Sequence, residues 1–374
     1  METALDGLRT SIVKAHGKDA ILSGDSFSRN ERYAITSPSM NTLLGGGIPA
    51  GKIIEIYGPE SVGKSTIAEA WCADLQAQNK AIAYIDAENA FDPQYAKDAF
   101  NLDVFDSNLA IFSQPSSGEE ALEIVDKVIQ SGLVSLVVVD SVAALTPQAE
   151  LEGEMGDQQM GLQARLIGKA LRKIKSACNT KGVTVVFINQ LRMKIGFVMG
   201  NPETTPGGLA LKFYASIRMD VRKVEPLKRG EEIYGHKMRI KTVKNKTFFP
   251  FRKIETNLIY GKGFDYTSEY IDYAIAQNLI SKSGSWYIIN EERFQGMENL
   301  KKGIEGSPFF DDLKKQVDTT IGKSLVLTAT GKESETIKEK KKRVPKVPKA
   351  EEEFEIVEAE FEAIEKGEMN DTDT

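Results

Sequence analysis

The 374-residue chain has only two cysteines, Cys72 and Cys178, with no CxxC spacing and no Cys/His group near either. That argues against a disulfide framework or a thiolate–imidazole zinc site, and a reducing cytoplasm is the expected compartment. Histidine is as scarce, with His16 and His236 alone, so chemistry centred on an imidazole acid or base is not expected. No apolar run approaches the roughly 20 residues that cross a bilayer. The N-terminus lacks the basic-then-apolar layout of a secretory signal. What remains is an ordinary globular composition, 41% hydrophobic and 27% charged, long enough to bury a sizeable core.

The net charge of −6 is unevenly distributed. Residues 351–374 carry eleven Asp and Glu against one Lys, which leaves +4 for residues 1–350. Just before that tail, KEKKKRVPKVPK (338–349) is basic and punctuated by proline, the composition of an unstructured linker. Linker and tail read either as solvated chain or, for the acidic part, as a competitor with DNA for basic surface.

Between Ile53 and about Val221, β-rich apolar runs alternate with helix-length stretches. The strand candidates are 53–57, 81–86, 109–112, 136–140 and 183–189; the helical stretches are 64–78, 93–100, 118–130 and 160–179. This alternation predicts an α/β fold with a mostly parallel twisted sheet covered by helices on both faces. Ligands of such sheets bind beyond the carboxyl ends of the strands. Residues 1–30 predict a short amphipathic helix, too small to stand alone, that packs on its own core or on a neighbouring subunit. After Val221 the pattern suits antiparallel edge strands, and 266–325 reads as a small α+β module. The expected division is therefore 1–30, 31–265, 266–325 and a tail from 326 to 374.

The chemistry begins at GPESVGKST, where Gly58, Pro59, Glu60, Ser61, Val62, Gly63, Lys64, Ser65 and Thr66 follow a strand directly and open a helix. This is the phosphate-binding pattern G-x-x-x-x-G-K-[ST]. Its glycines let the backbone N–H groups curl toward phosphate, Lys64 neutralises β/γ charge, and the Ser65 hydroxyl suits Mg2+. A structural glycine turn is the plain alternative, and the flanking strand and helix argue against it. Asp140, at the tip of LVVVD, is where such ATP-binding proteins hold the metal's hydration shell. Asp86 and Glu88 end another strand, and Glu88 is the choice for a carboxylate that orients or deprotonates the attacking water. A solvated loop acid is the alternative. Tyr95 suits stacking on a base and Asp92 suits an adenine amino group, although a proline-initiated helix with a half-buried tyrosine explains both.

Residues 187–213 leave a strand at Gln190 and enter a glycine-rich segment mixing Arg192 and Lys194 with Met193, Ile195, Phe197, Val198 and Met199. Cations with apolar wedges suit single-stranded nucleic acid; a lid or a subunit contact is the alternative. Arg165, Lys169 and Arg172 recur at i, i+4 and i+7, as a second candidate surface or simply a solvated helix face.

Taken together, IIEIYGPES-x-GKST, YIDAE-x-AFDPQYA, VVVDSVAALTPQAELEGE-x-GD, FINQLRMKIG with GNPETTPGG, ALKFYASIRMD, VKNK and GSWY resemble the bacterial RecA recombinase family over roughly residues 5–320. The resemblance implies a RecA-like P-loop ATPase core. It makes Glu88 the water-activating base and Gln190 the sensor of the γ-phosphate. Lys244 and Lys246 would reach the ATP of the adjacent subunit. Tyr95, Tyr260 and Gly261 would line the nucleotide base. Residues 152–161, ending in Met160 and Gly161, and residues 191–208, ending in Gly207 and Gly208, would be the two DNA loops. The helix at 5–15 and Phe213 would meet the next protomer, giving a helical filament on single-stranded DNA that pairs with duplex. Repressor and mediator proteins of an SOS-type response would be further partners. Two positions depart from the family pattern: Asn89, where His is common, and Leu209, where a polar side chain is usual. A ring-forming RecA-fold motor or helicase, and a scaffold that binds ATP without hydrolysing it, are the competing readings.

Overall fold

The computed structural model describes residues 4–17, 20–21, 31–153, 161–193, 203–289 and 292–329. Helix α1 (Ala4–His16) buries none of its residues, and Leu5 and Leu8 face outward. Helix α2 (Pro38–Leu44) starts where the Ser37 hydroxyl accepts from the Met40 N–H and Pro38 supplies a pre-set φ.

The core is a nine-stranded sheet. Its first strands are β1 (Ile53–Gly58), β2 (Ile82–Asp86), β3 (Ala110–Ser113), β4 (Leu136–Asp140) and β5 (Thr184–Gln190). Two long strands follow, β6 (Ile217–Arg229) and β7 (Glu232–Asn245), then β8 (Lys253–Ile259) and β9 (Gly263–Phe264). The order across the sheet is β9-β8-β7-β6-β1-β5-β4-β2-β3. Strands β1 to β6 run parallel, whereas β7, β8 and β9 close one flank antiparallel.

The parallel strands are apolar on both sides because helices cover both faces. On one face, Ile54, Ile56 and Val138 pack with Ile67, Trp71 and Leu75 of α3 (Lys64–Gln76); helix α4 (Pro93–Phe100) follows β2. On the other, Ile53, Val137, Val139 and Phe187 meet α5 (Gly118–Ser131), α6 (Leu162–Lys181) and α7 (Gly208–Tyr214). Both cysteines are fully buried in these layers as small apolar side chains, one on each face. Burial pushes the Cys178 thiol up to about 12. The alternation read from the sequence is the architecture observed.

Residues 266–325 add α8 (Tyr266–Ala276), a three-stranded sheet β10 (Ser281–Ser283), β11 (Trp286–Ile289) and β12 (Glu292–Gln295), and α9 (Met297–Ile304). Helix α10 (Pro308–Ala329) follows. Their apolar cluster includes Ile271, Tyr287, Leu300 and Val317. Buried Glu269 on α8 accepts from the hydroxyls of Ser37 and Thr256, which fastens this part to the main sheet.

Candidate active site

The phosphate-binding turn is built from the end of β1. Gly58 has no room for a side chain, since a Cβ there would lie 2.2 Å from the Val221 carbonyl oxygen. Gly63 has a φ of 94° and caps α3, and an added Cβ would meet Leu258 at 2.8 Å. Both positions therefore require glycine, for close approach and for left-handed backbone respectively. Lys64 is buried, and its ammonium donates to the Pro59 carbonyl at 2.6 Å. Burial lowers its pKa, while Asp140, Glu88 and Glu60 counter that shift. One open pocket is lined by residues 60–66 together with Glu88, Asp140, Ser141, Ile188 and Gln190.

Strand-end acids form the opposite wall. Asp140 is almost fully buried and accepts from the Tyr84 hydroxyl at 2.8 Å. Burial pushes its carboxyl up to about 6, against hydrogen bonds from Ser65 and Tyr84. Ser65 and Asp140 are oxygen donors beside the phosphate turn. They fit a Mg2+ ion completed by phosphate oxygens and water. Among the described residues no group of three or more His, Cys, Asp or Glu is placed to hold a metal by itself.

Glu88 stands between two elements. The Ser141 hydroxyl and the Gln190 side-chain amide, at 3.1 Å, both donate to its Oε1. The backbone N–H groups of Ala87 and Glu88 donate to the Asp140 carbonyl at 2.7 and 3.2 Å, which locks the β2 end onto the β4 end. Asn89 has a φ of 55°, a left-handed geometry that asparagine tolerates well. Asp86 is turned inward and accepts from the N–H groups of Ala90 and Phe91 and from Gln114, so it shapes this turn. Gln190 is continuous with the next segment, and the Leu191 N–H reaches back to the Gly58 carbonyl at 3.2 Å.

The base-side residues have structural duties as well. Asp92 caps α4, accepting from the N–H groups of Gln94 and Tyr95. Tyr260 is half exposed, and its hydroxyl lies 3.2 Å from His236 Nδ1. His236 Nε2 lies 3.4 Å from the Val62 carbonyl, so the imidazole straps Tyr260 to the phosphate turn. Burial lowers its pKa, in keeping with a neutral tether. Gly261 follows with a φ of 74° and open space around it.

Among the nucleic-acid candidates, Gly161 opens α6 and Arg165 and Arg172 are exposed on that helix. Arg192 and Met193, both exposed, pair antiparallel with Thr204 and Glu203. Arg222 holds Glu203 through two 2.7 Å hydrogen bonds and so moors that ladder to β6. Gly207 and Gly208 have φ values of 84° and 71°, and added Cβ atoms would each lie 2.9 Å from Ile167 or Ala164 of α6. The far end of the 191–208 segment is thus pressed against the start of the helix that follows 152–161. Met160, Lys194 and Ile195 lie outside the described residues, as do Phe197, Val198, Met199 and the tail from 330 onward.

Lys244 and Lys246 stand elsewhere, at the end of β7. Lys244 donates to the carbonyls of Lys212 and Phe213 at 2.7 and 3.0 Å. Burial and the neighbouring Lys246 and Arg218 lower its pKa. Phe213 is exposed beside it. Sequence reasoning missed Ser141, Tyr84 and His236. Only the first carried a signal, as the residue following the strand-terminal Asp140.

A glycine-pinned phosphate turn facing strand-end carboxylates, on a parallel sheet with helices on both faces, defines a P-loop nucleotide-binding ATPase. The profile described as the RecA N-terminal domain matches residues 3–265, and that of the RecA C-terminal domain matches 268–324. Protein RecA of Staphylococcus aureus strain JH9 is 47% identical over 328 residues, covering 87% of this chain and 92% of that protein. Protein RecA of strain Newman matches to the same extent. The chain belongs to the RecA family. Its function is that of a RecA recombinase in DNA recombination and repair, a DNA-dependent ATPase that binds DNA and assembles as a homo-oligomeric filament. Nothing favours the ring-forming motor.

Proposed function

We propose that residues 31–265 are the ATP-hydrolysing and DNA-binding motor, with 1–30 docking onto the next copy, 266–325 an accessory domain and 326–374 a linker and acidic tail. The observation that carries the residue assignments is the grip of Ser141 and Gln190 on Glu88 above the phosphate turn. It puts a candidate base at the root of the segment expected to hold DNA.

The turn's N–H groups and Lys64 bind the β- and γ-phosphates. Ser65 and Asp140 would hold Mg2+, which would supply charge neutralisation on the phosphate oxygens. Glu88 orients a water toward the γ-phosphate and takes its proton. Gln190 shares that carboxylate, so a change at the γ-phosphate alters the pull on Leu191 and on the DNA-binding segment it opens. Tyr95, Tyr260, Gly261 and Asp92 enclose the base. Residues 152–161 and 191–208, with Arg165, Arg172, Arg192 and the neighbouring Met160, Met193, Lys194, Ile195, Gly207 and Gly208, bind single-stranded DNA.

Lys244 and Lys246 act on the nucleotide of an adjacent copy. In their own chain Lys244 is level with Glu55 through Arg218, three residues short of Gly58 and two strands across. That is on the order of 10 Å in each direction from the chain's own phosphate turn. The cations that stabilise charge in the transition state therefore come from the neighbour. The protein works in the cytoplasm with repressor and mediator proteins, pairing its single-stranded DNA with homologous duplex. No helix among the described residues is long and apolar enough to cross a membrane.

Steady-state ATP hydrolysis with and without single-stranded DNA tests this reading. Strong stimulation is expected. ATP binding without stimulation would overturn the coupling assigned to Glu88 and Gln190.

A further inference from the structure

A polar row crosses the face of the sheet that α7 covers. Lys244 on β7 stands opposite Arg218 on β6, Arg218 opposite Glu55 on β1, and Glu55 opposite Phe187 on β5. In-register residues of neighbouring strands share a face, and Asn189, two residues beyond Phe187, shares it too. Glu55 is 0% exposed, and Arg218 Nε donates to its Oε2 at 2.5 Å. The Arg218 guanidinium also lies over the Tyr57 ring, 4.7 Å from the centroid. Asn189 Nδ2 donates to Glu55 Oε1 at 3.0 Å and to the Pro206 carbonyl at 3.1 Å. Its Oδ1 accepts from the Gln190 N–H at 3.0 Å.

The row holds α7 at both ends. Asn189 holds Pro206, just before the helix, and Lys244 holds the carbonyls of Lys212 and Phe213 at its last turn. Between those ends, Leu211 is the buried residue of the helix. Apolar side chains of similar size would bury this helix at least as well, because a buried ion pair adds little net stability. What hydrogen bonds to an immobilised carboxylate add is a fixed position for each group they touch.

We propose that Glu55 is a positioning residue for the DNA-stimulated reaction. Its carboxylate, anchored by Arg218, fixes Asn189. Asn189 in turn holds Gln190 and Pro206, the residues that bracket the 191–205 segment. Gln190 contacts Glu88, so the docking of α7 and the placement of the candidate base become one arrangement. Lys244 extends it to the edge assigned to the neighbour's nucleotide. A phosphate that draws the Lys244 ammonium away from the α7 carbonyls loosens one end of a helix whose other end borders the DNA-binding segment. The inference rests on the functional reading above.

The test uses the full-length chain with Glu55→Gln and with Glu55→Gln/Arg218→Gln. The single variant keeps shape and removes charge. The double variant also removes the cation that would otherwise be stranded, so it folds if the single one does not. DNA-stimulated kcat is expected to fall by about tenfold in the folded variants. The KM for ATP should stay within about twofold, and the DNA-free rate should fall clearly less than the stimulated one. A purely structural role would instead lower every rate in proportion to the folded fraction seen by circular dichroism. Wild-type stimulation in either folded variant overturns the inference alone. A wild-type protein that DNA does not stimulate overturns the functional reading and this inference with it.

Discussion

At the carboxyl ends of β2 and β4 the working side chains are acids held in place, with Asp140 buried under Tyr84 and Glu88 gripped by Ser141 and Gln190. Lys64 is the cation lining that pocket. At the end of β7 the balance is reversed. Lys246 lies close enough to help lower the pKa of Lys244, and Phe213 is exposed beside them. One region has carboxylates and a phosphate cradle but a single lysine against a polyanion. The other has cations and apolar surface without a phosphate cradle. Each lacks what the other holds, and the strand register keeps them apart within one chain. In the proposed arrangement a second copy placed head to tail would bring them together, and such a contact propagates as a filament.

The largest effect expected from breaking this comparison is at Lys64. Lys64→Ala should abolish ATP binding, read by equilibrium binding of a fluorescent nucleotide; binding within about tenfold of wild type would mean the backbone alone carries the phosphates. Next, Glu88→Gln should keep ATP binding, lower hydrolysis by roughly 100-fold or more, and trap the DNA-bound state. Wild-type turnover in that variant would move the base elsewhere. Lys246→Ala should slow turnover while nucleotide binding by dilute monomer stays within about twofold. Mixing the Glu88→Gln and Lys246→Ala proteins sharpens the point. About one random interface in four then joins an intact Glu88 to an intact Lys246, so the mixture should turn over faster than either impaired protein alone. If the mixture is no faster, Lys246 acts within its own subunit.

The smallest effect concerns stability. Glu69 on α3 is 6% exposed, and its Oε2 has no hydrogen-bond partner among the described residues. Burial, and then Asp140 and Asp92, raise its pKa from 4.5 to about 8. Between those values the folded protein keeps a proton that the unfolded chain releases, so stability falls as pH rises from about 4.5 to about 8. Glu69→Leu should therefore raise Tm by a few degrees near pH 5 and by more near pH 8. A Tm gain that does not grow with pH would show that the carboxyl is not protonated in the native state.

Much of this was legible in the sequence because it follows local rules. Apolar runs such as LVVVD announce strands buried on both faces. GPESVGKST needs its spacing to bend the backbone around phosphate, and strand ends deliver Glu88 and Asp140 to the same rim. What stayed hidden depends on contacts between distant residues. Ser141 reaches Glu88 across 53 positions, His236 reaches Val62 across 174, and Arg218 reaches Glu55 across 163. No periodicity encodes such pairs. Strands β7 and β8 were legible as antiparallel strands flanking the sheet, but β6 and its register with β7, which sets the level of Lys244, were not. Asp92 shows the reverse case, a residue chosen for chemistry that also serves as an ordinary helix cap.

Helix α1 is 13 residues long and buries none of them within its own chain. A segment of that length is only marginally helical in water unless something packs against it. With the proposed docking onto the next copy, its order would be governed by mass action: each added protomer would favour the helix of the next, and dilution the coil. The amino terminus becomes a gauge of local protein concentration. Its amides should exchange hydrogen quickly in dilute solution and slowly once protomers crowd along a common strand.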